Sequence, residues 1–335
     1  MDRKEFLDRL AEGRIPSVLL FEGEDAWLMH SAVDALRKKL LPEGMEELNE
    51  TELDAPETDA LIAAAETLPF MADRRLVLLR DYPALTGRSE TDDRLAAYLP
   101  QVPDTAVVLF LCMQKPDARK KLYGIIKKLG GIVSFPQLKG RELTTFVTAA
   151  FRERGKECDE RTAEHLIFLC GADAARLLTE IDKIASLRPE EKHVQPGDVQ
   201  ALAVPTMESK VFQMVDAVVS GQDARAFMLL RSQLMNGESR IGILAMLLRQ
   251  FRMMQHIKIM QYEKKRESEI LAALGLSSYI GGQYLRQAAG WNNRQVRQAV
   301  KTCLDTDYRI KAGELNQEGA LEALILQLLS LRKKQ

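Results

Sequence analysis

Short apolar runs recur between helical stretches through the first 140 residues of this chain, and after Pro136 they stop. The runs are Ser17–Phe21, Leu76–Leu79, Ala106–Leu111 and Ile132–Phe135, each the right length and composition for a strand buried on both faces. Helical periodicity occupies Ala26–Leu40, Leu61–Leu68 and Asp117–Leu129 between them. Strands that alternate with helices return in the same direction, so the pattern predicts a mainly parallel sheet covered on both sides. The polar segment Gly87–Asp93 reads as a surface loop.

From Arg141 onward the periodicity is helical, with helices expected at Arg141–Arg154, Glu160–Leu169 and Ala174–Leu187, then a turn across Pro189–Gly197 and a boundary near Val204 and Pro205. Glu238–Lys264 reads as a long helix, roughly 40 Å at about 1.5 Å per residue, with Ile241, Leu244, Leu248 and Phe251 on one face. Leu274–Gly282, carrying Gly275, Gly281 and Gly282, breaks the pattern. Asn292 and Gln295 then form a capping pair for a helix with Val296, Val300, Cys303 and Ile310 on one face. A last helix, Gln317–Leu331, places Leu321, Leu324, Ile325 and Leu328 in a stripe that reads mostly as core. The organisation is therefore an α/β domain over residues 1–140, a small helical domain over 141–208 and a second helical domain over 209–335.

Charge separates these parts. From Lys210 to the end there are 19 Lys and Arg against 11 Asp and Glu, leaving 28 against 37 before it. A basic C-terminal part faces either nucleic acid, an acidic partner, or simply water. No apolar run approaches the roughly 18 residues that span a bilayer, and MDRKEFLDRL is a charged amphipathic helix rather than a signal peptide, so a cytoplasmic protein is expected. Cys112, Cys158, Cys170 and Cys303 have no CxxC spacing and read as buried thiols.

An α/β domain that opens strand, loop, helix invites a test for a phosphate-binding loop. After the first strand the chain reads FEGEDAWLMHSAV, which keeps Gly23 but lacks the second glycine and the Lys-Ser/Thr pair. Met29 and His30 stand where those two residues belong, and Glu24 and Asp25 would repel an anion. The strand Leu76–Leu79 ends in Arg80-Asp81, a poor metal-holding terminus. His30, His165, His193 and His256 are dispersed, with His165 reading as structural, and no catalytic set is visible.

The turn TLPFMADRR before that strand is different. Pro69 ends the preceding helix and leaves Phe70 and Met71 beside a loop, either tucked under a neighbour or offered to a partner. On pattern alone, burial is the commoner outcome.

Four stretches, VLLFEGEDAWLM, AETLPFMADRRLVLL, LLTEIDKIA and DTDYRIKAGELNQEGALEALILQL, appear in the order in which they resemble the delta-subunit family of bacterial DNA polymerase III, a clamp-loader family of AAA+ type. The resemblance runs over essentially the whole chain. It implies an AAA+-like α/β domain with a degenerate phosphate loop, then two all-α domains, a lid and a collar. It implies no ATP, metal or other cofactor on this chain and no catalysis of its own, only membership of a nucleotidyltransferase holoenzyme at the bacterial replisome. The implied partners are the sliding clamp (beta subunit), the other loader subunits (gamma/tau and delta prime) through the collar, and primer-template DNA. The family's clamp-binding pair corresponds to Phe70 and Met71, with Leu68 beside them. Many members carry a second aromatic where this chain has Met71, and methionine suits an irregular pocket.

Arg74 and Arg75 stand where they could rim that contact or merely solvate the start of the strand. Arg249, Arg252 and His256 share a helix face that meets either DNA phosphate or water, and Trp291 and Tyr284 are either base-stacking groups or buried aromatics. The rival readings are an NTPase with an altered loop and a DNA-binding scaffold.

Overall fold

The computed structural model describes residues 1–87, 93–187 and 189–332. The loop expected over Gly87–Asp93 therefore lies, from 88 to 92, outside the described residues. Two compact units emerge, Met1–Leu138 and Lys139–Gln335. The division expected at residue 208 falls inside the second.

The first unit carries helices α1 (Arg3–Ala11), α2 (Ala26–Leu40), α3 (Glu46–Asn49), α4 (Thr58–Glu66), α5 (Pro83–Thr86), α6 (Asp93–Tyr98) and α7 (Lys121–Lys128). Among the described residues its strands are β1 (Val18–Gly23), β2 (Glu50–Asp54), β3 (Arg75–Arg80), β4 (Ala106–Cys112) and β5 (Ile132–Phe135), all parallel in the order β2-β3-β4-β1-β5. Three of the apolar runs form the inner strands β1, β3 and β4, covered on both faces, and the fourth forms the edge strand β5. Leu76–Leu79 and Ala106–Cys112 are wholly buried, and Leu20 lies between Phe110 and Ile132 in register.

β2 was not visible in the sequence. Its ETELD has Leu53 as its single apolar side chain, and it survives as an edge strand with Glu50 and Glu52 paired to arginines. Glu50 takes a two-point contact from Arg37 of α2, with N–O distances of 2.9 and 2.6 Å, and Glu52 pairs with Arg80. The helix expected to run to Leu68 stops at Glu66, because the Thr67 backbone turns extended and its N–H and hydroxyl both donate to the Ala63 carbonyl.

The second unit comprises α8 (Gly140–Glu153), α9 (Glu160–Cys170), α10 (Ala174–Leu187), α11 (Pro196–Leu202), α12 (Met207–Ser220), α13 (Asp223–Met235), α14 (Arg240–Tyr262), α15 (Glu267–Leu274), α16 (Ser278–Ala289), α17 (Asn293–Lys311) and α18 (Ala320–Arg332). The expected turn over Pro189–Gly197 is present from Pro189 to Gln195, and α11 begins at Pro196, where Asp198 helps start it by accepting from the Gln195 N–H at 2.9 Å. The face of α14 is rotated from the expected one. Ile243, Leu244, Leu247, Phe251, Met254 and Ile257 form the core, while Ile241 is exposed.

Gly281 and Gly282 do not break a helix as expected; both lie in α16. A Cβ on Gly281 would come within 2.2 Å of Leu271, so glycine permits α15 and α16 to pack closely. The expected cap of α17 is present, with Asn292 and Gln295 each accepting from the other's backbone N–H at 2.9 Å. Leu321, Leu324, Ile325 and Leu328 are buried in the same core. Trp291 is buried and stacks on Phe251, and Tyr284 is buried against Phe212, which removes both from any base-stacking role.

Candidate functional site

Strands in a parallel sheet all point one way, so the loops following them gather at one end and the loops preceding them at the other. Ligands of such sheets ordinarily bind at the carboxyl ends. Here that end is closed by the chain's own groups. The Asp25 carboxylate caps α2, accepting from the Leu28 N–H at 3.0 Å in the place where a phosphate would sit. The N–H groups of Glu24 and Asp25, which would cradle that phosphate, both donate to the Phe135 carbonyl. Gly23 remains for a backbone reason: a Cβ there would lie 2.1 Å from the Phe135 carbonyl oxygen. Met29 is buried in the core and His30 is exposed. After β3, Asp81 accepts from the N–H groups of Met113 and Gln114 at 2.9 and 3.2 Å, so its carboxylate braces a loop. These residues do not fit a nucleotide phosphate with its metal.

The remaining reactive side chains show the same inward use. Burial pushes the thiols of Cys112, Cys158 and Cys303 up to about 12 and that of Cys170 up to about 11, which keeps them protonated. His165 is hydrogen-bonded to Tyr279. Among the described residues, no three His, Cys, Asp or Glu side chains group to hold a metal.

The amino end of the sheet is the opposite case. Between α4 and β3, Leu68 is 76%, Phe70 53% and Met71 72% exposed. Leu48, at the end of α3, is 57% exposed beside them. Among the described residues of this unit the other large exposed apolar groups are Met113 and Leu129, so the exposed apolar surface is concentrated here. The loop is nevertheless tightly held. Fully buried Asn49 accepts from the Phe70 N–H at 2.7 Å and donates to the Phe70 carbonyl at 2.9 Å and the Met45 carbonyl at 3.1 Å. Met71 has a left-handed backbone, φ +51°, a conformation disfavoured for a side-chain-bearing residue by on the order of 1 kcal/mol.

Arg75 lies in the interior rather than at a rim, and half-buried Arg74 spends its guanidinium on acceptors of its own unit. Arg75 is buried, donating to the Thr67 carbonyl at 3.2 Å and the Thr51 hydroxyl at 2.7 Å. Arg74 donates to the Ile15 carbonyl, the Ser17 hydroxyl and the Ala106 carbonyl at 2.8, 2.9 and 3.2 Å, tying the amino ends of β1, β3 and β4 together. Burial lowers the pKa of both guanidiniums, with Asp104 opposing the shift at Arg74. Neither Leu48 nor Asn49 carries a sequence signal of its place beside this loop. Asn49 sits in the polar stretch ELNETELD, and nothing local signals that its partner lies 21 residues further on.

In the second unit, Arg249, Arg252 and His256 are exposed along one side of α14. They border a groove of about 410 Å³ with Leu248, Met253 and Leu274 on its walls. Arg249 lies 3.3 Å from Glu208, which takes up part of its charge.

Comparison with known proteins bears on both units. The sequence pattern described as "DNA polymerase III, delta subunit" matches residues 19–135, and that of the "DNA polymerase III delta subunit, C-terminal domain" matches residues 208–328. The chain belongs to the DNA polymerase III delta-subunit family. This delta-family chain is 25% identical to the Bacillus subtilis (strain 168) DNA polymerase III subunit delta over 334 residues, covering 97% of this chain and 96% of the relative. It is 22% identical over 236 residues to a probable delta subunit of Aquifex aeolicus (strain VF5), covering 69% and 67% of the two chains. Among solved structures, the Bacillus subtilis DNA clamp loader delta protein shares the fold at a TM-score of 0.60 and 24% identity, over 98% of this chain and 99% of that one. The delta-family chain thus shares that protein's fold, a parallel sheet first and helices after it. None of its described helices is long and apolar enough to cross a membrane.

Proposed function

We propose that this chain is a non-catalytic clamp-loader subunit that docks on the ring-shaped sliding clamp through Leu68, Phe70 and Met71 and helps open it for loading onto primed DNA. The observation that carries this reading is the concentration of exposed apolar side chains on a loop whose backbone is held from beneath. A large exposed aromatic on a fixed loop is suited to a desolvated pocket, where one such anchor contributes about 2 kcal/mol or more. Leu48 widens the same surface. Opening follows if the chain binds the open ring more tightly than the closed one, which shifts the ring's population toward the open form.

The closed phosphate loop supports the absence of ATP and metal from this chain: Asp25, Glu24 and Phe135 already use the groups that would hold them. ATP is then bound and hydrolysed by partners within the assembly, whose other subunits are gamma/tau and delta prime. In this reading residues 141–208 act as the lid and 209–335 as the collar that joins those subunits; the C-terminal family match beginning at residue 208 supports that division. Arg249 and Arg252 face the primer-template DNA. The protein works in the bacterial cytoplasm, at the replisome.

The test is a binding titration of the full chain against the sliding clamp, with folding checked by circular dichroism. Replacing both anchors, Phe70→Ala with Met71→Ala, weakens binding about 100-fold or more. A folded double variant that binds as tightly as the parent removes the site.

A further inference from the structure

An exposed aromatic on an irregular loop loses affinity when the loop must be ordered at the moment of binding. The Phe70 backbone avoids this through a single side chain. Neither a helix nor a strand ladder takes its N–H and C=O; the Asn49 carboxamide takes both, at 2.7 and 2.9 Å, as a facing residue would in an antiparallel pair. Asn49 is itself immobilised. It is fully buried, its remaining amide hydrogen goes to the Met45 carbonyl at 3.1 Å, and the next residue, Glu50, is already in register with Leu76 of β3. The Phe70 backbone is thus referenced to the sheet while its ring stays in solvent, and the left-handed turn at Met71 follows at once.

We propose that Asn49 is a positioning residue of the docking loop, holding the Phe70 backbone in its docked geometry before the partner arrives. The inference rests on the reading of this loop as the clamp contact. Asn49 touches no partner; it acts through Phe70, so its contribution to binding depends on the Phe70 ring being there.

That dependence supplies the test, in the full chain with the sliding clamp as the probe. Asn49→Ala weakens clamp binding about tenfold as the loop loses its preset geometry. On a Phe70→Ala background the same substitution changes binding less than twofold, whereas a general loosening of the domain would subtract the same factor from both backgrounds. If Phe70→Ala binds like the parent, the clamp reading itself fails. If Phe70→Ala weakens binding and Asn49→Ala stays within twofold of the parent, the clamp reading stands and the positioning role is overturned. An equal tenfold loss on both backgrounds overturns it as well. Should Asn49→Ala not fold, amide hydrogen exchange on the parent decides. The Phe70 N–H is already protected in the free chain if Asn49 presets the loop, and exchange at the rate of an unstructured peptide overturns the proposal.

Discussion

At the carboxyl end of β1 the backbone N–H groups of Glu24 and Asp25 turn inward to Phe135, whereas at the amino end of β3 the side chains of Leu68, Phe70 and Met71 turn outward. The two ends of one sheet use opposite strategies. The end that ordinarily receives a ligand has the Glu24 and Asp25 N–H groups and the Asp25 and Asp81 carboxylates paired within the chain, and the opposite end presents apolar surface. Both ends depend on buried polar contacts. At the carboxyl end those contacts close a site; at the amino end Asn49, Arg74 and Arg75 hold one open from below.

The contrast is broken most directly at Arg75. Arg75→Met should lower the stability of the chain by about 2–3 kcal/mol in urea unfolding, because it leaves the Thr67 carbonyl and the Thr51 hydroxyl without their partner. A loss below about 0.5 kcal/mol would mean that the loop is not braced there. At the other end, Asp25→Ala should cost about 1 kcal/mol through loss of the α2 cap. It should not create ATP binding, since the Glu24 and Asp25 N–H groups still face Phe135. Saturable ATP binding by that variant in equilibrium dialysis would show the carboxyl end to be a site merely blocked by one carboxylate.

Met71→Gly sharpens the comparison with the smallest change in stability. Relief of the left-handed backbone and the extra freedom glycine gives the unfolded chain oppose each other, so thermal unfolding should stay within about 0.5 kcal/mol of the parent. Clamp affinity should nevertheless fall, separating the side chain's role in contact from its role in the fold.

Much of the architecture was legible because burial writes itself into composition. β1, β3, β4 and β5 are apolar runs, and α17 announces its start with Asn292 and Gln295. β2 was not legible, since an edge strand stabilised by Arg37 and Arg80 has no need of an apolar run. The buried face of α14 differs from the sequence stripe because Ile241 extends that stripe beyond the core while Leu248 packs only at its margin. In the loop before β3 the turn drew attention to Phe70 and Met71 but its pattern favoured burial, whereas both are exposed. The roles of Arg74 and Arg75 within the unit could not be read from the sequence, because their acceptors, Ile15, Ser17, Thr51 and Ala106, lie in other segments of the chain.

The attachment of the Phe70 loop also determines how it would carry a mechanical load. A pull on Phe70 passes through Asn49 to the amino end of β2 and through Thr67 and Arg75 to the amino end of β3. Those strands are parallel and paired from Glu50 with Leu76 to Asp54 with Arg80, so both are drawn in the same direction from the same end. The force therefore does not slide β2 past β3; it passes to the rest of the sheet as shear along the β3–β4 ladder.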